Sequence, residues 1–242
     1  MRRSTALLGA LAALGAGSTL AGCGFPRRRG REPSAEHPGR PVVIAVLGDS
    51  LALGTGASAP RNGFIFRAYL AVLARRPGSR IDSYAIGGST AADVLRLQAP
   101  RLAHERADAV VICVGGNDVT HRVAPERFAA AYAGILSRVR ALQPRAAIVC
   151  CGVPNVGLSP LFTGADHDEV ARLARADDDA ARAAARLADA RFADVYAATN
   201  AARGRLDSYL SDDRFHPSDA GYAALAAALT PVLLDALARR AT

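Results

Sequence analysis

Short, uninterrupted apolar runs alternate with longer stretches whose apolar positions recur every three or four residues, from residue 42 to the C-terminus. Residues 42–47 are apolar throughout, as a strand covered on both faces requires. Phe64, Ile65, Ala68, Tyr69, Val72 and Leu73 then repeat at helical spacing within 62–75. A weaker strand is predicted over 81–86 and a short helix over 91–97. A third apolar strand covers 109–114, an amphipathic helix opening with Pro125 runs to 142, and a fourth strand covers 146–151. Residues 152–167, with two prolines and three glycines, read as a long loop. A helix over 168–191, a fifth strand over 192–196 and a closing helix over 220–240 complete the pattern. Strand–helix alternation of this kind predicts an α/β fold with a parallel sheet and right-handed crossovers. No repeat and no second domain interrupt 41–242.

The first forty residues follow a different rule. Met1-Arg2-Arg3 precedes an apolar run over 6–16 and the small residues Gly17, Ser18, Ala21 and Gly22. That order describes an export signal, and eleven apolar residues fall short of the ~20 that a membrane helix needs. Leu20-Ala21-Gly22-Cys23 resembles the lipobox of bacterial lipoproteins. The resemblance implies a signal peptide over 1–22 and a diacylglyceryl group on the Cys23 thiol. Cys23 would then be the mature N-terminus, and the protein would be held on the outer side of the cell membrane. An ordinary signal peptide with a chance cysteine is the alternative. Residues 23–40, rich in Arg, Pro and Gly, read as a flexible tether.

Charge sharpens this division. The formal net charge is +8, and every one of the 30 basic residues is arginine. The absence of lysine excludes Schiff-base, Ser–Lys and P-loop-lysine chemistry. From residue 41 onward 23 Arg face 20 Asp and Glu, so the basicity is concentrated at the N-terminus. The body therefore carries no duplex-binding footprint, and no nucleic-acid partner is expected. A basic segment beside a membrane instead suits anionic headgroups. Cys113, Cys150 and Cys151 lie in apolar runs and read as buried thiols; a Cys113–Cys150 bridge between neighbouring strands is the alternative.

In an open α/β sheet, ligands bind beyond the carboxyl ends of the strands. Gly48-Asp49-Ser50-Leu51 follows the first predicted strand, Gly87-Gly88-Ser89-Thr90 the second and Gly115-Gly116-Asn117-Asp118 the third. Asp213-Arg214-Phe215-His216-Pro217 follows the fifth, just before the last helix. A serine hydroxyl needs a base to remove its proton, and three-residue spacing sets Asp213 and His216 on one side of a turn. Asp212 competes with Asp213 for that place but lacks the spacing. Pro217 biases His216 toward an extended backbone, and Gly88 permits close approach to a substrate.

These four segments, in this order, resemble the signature blocks of the SGNH (GDSL-type) hydrolase superfamily over residues 42–242. The resemblance implies a flavodoxin-like three-layer α/β/α sandwich with five parallel strands, and hydrolysis of esters. It implies Ser50 as nucleophile, His216 as its base and Asp213 as the group orienting the histidine. The Ser50 and Gly88 backbone N–H groups and the Asn117 amide would form the oxyanion hole. No metal and no organic cofactor is implied.

The remaining polar residues read as structural. Ser50 as a helix cap, Gly88 as a bare turn glycine and Asn117 as a cap are the bland accounts; Asp118 is read as structural outright. His37 lies in the tether, and His104 and His121 read as solvated. His167, in Asp166-His167-Asp168-Glu169, reads as part of a charged helix entry, with cation binding as the alternative. Asp177-Asp178-Asp179 reads as a solvated helix face and not a calcium loop. The absence of GxSxG argues against the α/β-hydrolase form of serine chemistry.

The expectation is a lipid-anchored, exported and monomeric serine esterase or lipase acting on a small-molecule, glycan or lipid ester. An O-acyltransferase or deacetylase working on a surface glycan or lipid is one alternative. A non-catalytic surface lipoprotein that binds without turnover is the other. Leu158, Leu161 and Phe162 in the 152–167 loop are candidates to line an acyl pocket, against an ordinary exposed connection.

Overall fold

The computed structural model describes residues 39–239. The predicted signal peptide 1–22, Cys23 and the tether up to residue 38 lie outside the described residues. The chain runs through strand β1 (Val43–Gly48), helices α1 (Ser50–Leu53) and α2 (Phe64–Arg75), and strand β2 (Arg80–Ser83). Helix α3 (Ala91–Asp93) continues into wider turns over Val94–Gln98 and tighter ones over Ala99–Ala103. Next come β3 (Ala109–Cys113), α4 (Gly116–Thr120), α5 (Pro125–Leu142) and β4 (Ala147–Cys151). The chain closes with α6 (Gly164–Leu187), β5 (Arg191–Ala193), α7 (Val195–Asn200), α8 (Leu206–Tyr209) and α9 (Asp219–Ala238).

The five strands form one parallel sheet in the order β2-β1-β3-β4-β5, as the sequence predicts. The strand pleat divides the core in two. Ile44 and Val46 pack with Phe64, Val72, Tyr222 and Leu229 of α2 and α9 on one face. Ala45 and Leu47 pack with Phe128, Ile135 and Leu173 of α5 and α6 on the other. Burial on both faces explains the unbroken apolar runs of β1, β3 and β4. At the edge, β2 has only intermediate or exposed positions, so its sequence signal is weak. Strand order reverses between β1 and β3, and a crevice at their carboxyl ends is where such sheets place a ligand.

Several boundaries depart from the sequence reading. Strand β2 ends at Ser83, three residues early. The predicted fifth strand stops at Ala193, because the Asp194 side chain accepts the Ala197 N–H and starts α7 instead. Helix α6 begins at Gly164, inside the expected loop, and Asp189 at φ +50° follows its end. The three aspartates 177–179 are not a solvated face: Asp177 and Asp178 are 0% and 1% exposed. They continue the inward row of Val170, Leu173 and Ala174 toward Ala181 and Ala185. Asp179 alone is exposed, paired with Arg175 at 3.1 Å. Cys113, Cys150 and Cys151 are buried free thiols. Cys113 belongs to the α2–α9 side of the sheet and Cys150 to the α5–α6 side, so those two cannot bridge.

Candidate active site

The site starts where β1 runs out. A Cβ on Gly48 would sit 2.1 Å from the Cys113 carbonyl oxygen, so only glycine lets β1 close against β3 at this point. Asp49 follows, and its Oδ1 accepts the Leu51 N–H at 2.9 Å, which makes Asp49 the cap of α1. Ser50 is thus the first helical residue and not the cap. Its own N–H makes no hydrogen bond among the described residues, as first-turn N–H groups commonly do not.

The imidazole arrives from a turn 166 positions away in the chain. Ser211 N–H donates to the His216 carbonyl at 2.8 Å and Leu210 bridges Pro217, which closes the turn. Asp213 sits inside it. Its Oδ1 accepts from Ser211 Oγ (2.9 Å), Phe215 N–H (2.9 Å) and His216 N–H (2.8 Å). Its Oδ2 lies 2.6 Å from His216 Nδ1. Partial burial works against the charged carboxylate. The ring donor and the two backbone donors outweigh it and hold Asp213 well below the usual carboxylate range. A carboxylate at Nδ1 fixes the imidazole proton there and leaves the Nε2 lone pair for Ser50 Oγ, 2.9 Å away. Phe215 stands edge-on to the ring at 5.1 Å. Asp213, not Asp212, meets the histidine.

Two further predicted residues follow β2 and β3, and of these Asn117 lines the same cavity as Ser50 and His216. Gly88 has φ +80°, a backbone only glycine adopts readily, and a Cβ there would touch nothing within 4 Å. Its N–H also makes no hydrogen bond among the described residues. Asn117 lies in α4, after β3. Its amide nitrogen donates to the Ser89 carbonyl at 3.0 Å and more loosely to Asp49 Oδ2 at 3.4 Å. Both partners are acceptors, so the nitrogen faces inward, and its second hydrogen is held by only a long contact.

Buried polar groups brace this rim. Gln98 is fully buried; its Oε1 accepts the Gly48 N–H and its Nε2 donates to the Gly48 carbonyl, both at 2.8 Å. The same nitrogen reaches Ser89 Oγ at 3.1 Å, tying the segment after β1 to the segment after β2. Nothing local in the sequence marks Gln98, because Gly48, which it clasps twice, lies fifty residues away. Asp118 accepts the Ala91 N–H at 2.9 Å and holds the start of α3, the structural place read for it. Burial pushes Asp118 up to about 6 and Asp49 up to about 7; the Leu51 N–H opposes the latter shift and the Asp118 charge adds to it.

Ser50 and His216 open on an apolar cavity of about 50 Å³. Leu158 lines it, with Leu206, Tyr209, Leu210 and Phe215 from the segment before the histidine. Leu161 is exposed and Phe162 packs into the α5–α6 core, so neither candidate reaches the cavity. Helix α8 supplies two lining residues and went unread, since four residues carry no periodicity. His104 and His121 are exposed. His167 lies 3.0 Å from Asp168, while Asp166 and Glu169 pair with Arg122. Among the described residues no group of three His, Cys, Asp or Glu is placed to hold a metal ion.

A family model described as GDSL-like Lipase/Acylhydrolase matches residues 46–224. A GDSL-like esterase of Mycobacterium tuberculosis is 32% identical over 216 residues, covering 82% of this chain and 64% of that protein. The chain thus spans less than two thirds of that relative's length. Among solved structures, TesA superposes with a TM-score of 0.66 at 22% identity, over 80% of this chain and 99% of that one. An acetylxylan esterase from Geobacillus stearothermophilus gives 0.65 at 20% identity, over 81% and 95%. A two-domain esterase active on acetylated mannans gives 0.63 at 22% identity, over 82% and 50%. At such identities the three structures share the fold with this chain.

Proposed function

The chain belongs to the GDSL-like lipase/acylhydrolase family, and from that premise we propose that it is a serine hydrolase of short-chain esters with Ser50 as nucleophile. The Ser50–His216–Asp213 relay, at 2.9 and 2.6 Å, is the observation that supports this most. Ser50 Oγ attacks the ester carbonyl while His216 Nε2 takes its proton. The carbonyl oxygen becomes an anion facing the Ser50 and Gly88 N–H groups and the loosely held Asn117 hydrogen. Collapse breaks the ester C–O bond, and His216 returns its proton to the departing alcohol. Water then enters by the same route and attacks the acyl carbon as His216 takes a proton from it; the acyl–Oγ bond breaks, His216 returns that proton to Ser50 Oγ, and a carboxylic acid leaves. Asp213 stays ionised throughout and stabilises the imidazolium.

The cavity favours a small acyl group. Fifty cubic ångströms holds a few water-sized units, enough for an acetyl or slightly longer chain. Two structural neighbours are named as acting on acetylated xylan and mannans, which agrees with an acetylated glycan as substrate here. The lipobox resemblance at Cys23 supports export and a lipid anchor.

The test compares wild type and Ser50→Ala on p-nitrophenyl acetate, the octanoate and an acetylated polysaccharide. Wild type should turn over acetate at least tenfold faster than octanoate, and Ser50→Ala should lose about 10⁴-fold or more. Equal turnover by both proteins removes Ser50 as nucleophile; wild-type activity that requires an added acceptor alcohol makes the enzyme an acyltransferase. Under a 500 mM salt wash that screens charge-driven binding, Cys23→Ala should shift the protein from membrane to medium, and unchanged retention in that wash refutes the anchor.

A further inference from the structure

At the opposite pole from the site, the amino ends of β1, β3 and β4 border a second, wider cleft of about 820 Å³. Arg40, Arg76, Arg106 and Arg145 line it, against two carboxylates, Glu105 and Asp108. Both carboxylates are already engaged. Asp108 pairs with Arg40 at 2.5 Å and accepts the Val43 N–H at 2.9 Å. Glu105 pairs at 2.6 Å with Arg80, outside the cleft. Arg76 reaches only carbonyl oxygens, those of Arg40 and Leu237. Arg106 and Arg145 are exposed and form no ion pair among the described residues. Arg106 and Arg145 thus line the cleft with no ion-pair partner among the described residues, while Arg76 lies near enough to Asp108 to lower its carboxyl; the two unpaired guanidinium groups suit phosphate oxygens.

The same pole is where the chain enters the fold. Gly39 N–H donates to the Arg75 carbonyl at 3.2 Å, and Arg40 leads directly into β1. Upstream in sequence stand Arg27, Arg28, Arg29 and Arg31, four to eight positions after Cys23. A tether arriving at this pole keeps lipid headgroups at high effective concentration beside the cleft. We propose that the arginine-lined cleft binds anionic phospholipid headgroups and seats the domain on the membrane with its catalytic rim facing away. The six residues of β1 separate the two poles by roughly 20 Å, so a seated domain keeps Ser50 open to substrates arriving from solution. The proposal rests on export and anchoring through Cys23, and the experiment is arranged to be independent of both.

Binding of the full chain carrying Cys23→Ala is measured on phosphatidylglycerol vesicles and on phosphatidylcholine vesicles, with hydrolysis of p-nitrophenyl acetate read in parallel. The unlipidated chain should bind phosphatidylglycerol, and binding should fall as salt is raised from 50 to 500 mM. Adding Arg106→Glu and Arg145→Glu should weaken it at least about tenfold with ester turnover unchanged. The milder pair Arg106→Gln and Arg145→Gln should lie between, which separates lost charge from lost fold. Equal binding by the arginine variants, or equal binding to phosphatidylcholine, overturns the proposal. So does release of the protein from vesicles by sub-millimolar inorganic phosphate, which would make the cleft a site for a soluble anion. Turnover reports on Ser50 separately, so a failure of the esterase reading and a failure of this one are told apart.

Discussion

Asp213 and Asp177 are the same residue type in two regions that treat it in opposite ways. In the turn before α9, Asp213 is half-exposed and accepts four hydrogen bonds, and those donors keep it ionised far into acid. In the middle of α6, Asp177 is 0% exposed, and neither carboxylate oxygen finds a partner among the described residues. Burial, then the charges of Asp118 and Glu126, push it up to about 7. Burial and the supply of donors act together: Asp213 has little of the one and much of the other, and Asp177 the reverse. Asp49 shares the burial of Asp177, 3% exposed, and despite the Leu51 N–H and a long contact to Asn117 burial carries it up to about 7 as well.

That gradient can be tested from its strongest end. Asp213→Asn keeps the shape but gives His216 Nδ1 a poorer acceptor, and steady-state kinetics should show kcat down about 10³- to 10⁴-fold. Its thermal midpoint should fall at neutral pH and the gap to wild type should close in acid, because stability from a depressed carboxylate is present above the unfolded value near 4 and is lost as acid passes the lower folded value. A mutant within tenfold of wild type would leave the turn without its assigned purpose. Asp49→Asn should cost about ten- to a hundredfold in kcat, since it disturbs the Asn117 amide beside it on the wall of the cavity. A change confined to KM would place Asp49 in substrate binding instead.

The smallest effect on turnover belongs to Asp177→Asn, within about twofold of wild type, and its signature is in stability. The folded-state value of Asp177 lies above the unfolded one, so its stabilising protonated form is complete below pH 4 and is lost as pH rises through about 7. Denaturant unfolding should therefore show wild type and Asp177→Asn alike near pH 4. The variant should gain about 1–3 kcal/mol by pH 8, the usual cost of an unpartnered buried polar group. A gap that does not open with pH would mean that Asp177 has found a donor.

The sheet and its helices were legible because β1, β3 and β4 are buried on both faces and α5 keeps a clean helical period between Pro125 and Leu142. Ser50, Gly88 and Asn117 could be picked out because a parallel sheet sends the residues after its strands to one rim, and Asp213 and His216 by their three-residue spacing before the last helix, although α7 and α8 separate them from β5. What escaped were groups defined by distant partners or by short elements. Gln98 acts across fifty residues, and α7 and α8 are too brief to show a period. The burial of Asp177 was in principle readable, since it falls in phase with Val170, Leu173 and Ala181. Three consecutive aspartates masked that phase.

The double clasp of Gln98 on Gly48 bears on how this scaffold can be remodelled. Strand β2 ends at Ser83, but the Ile86 N–H still donates to the Gly48 carbonyl at 3.1 Å, and the Gln98 amide adds to that contact while fastening Ser89 in place. The segment over 87–90 and Gln98 consequently form a single module with the end of β1. A graft that exchanges the segment alone severs the module, whereas one carried through residue 98 transfers the segment together with its fastener.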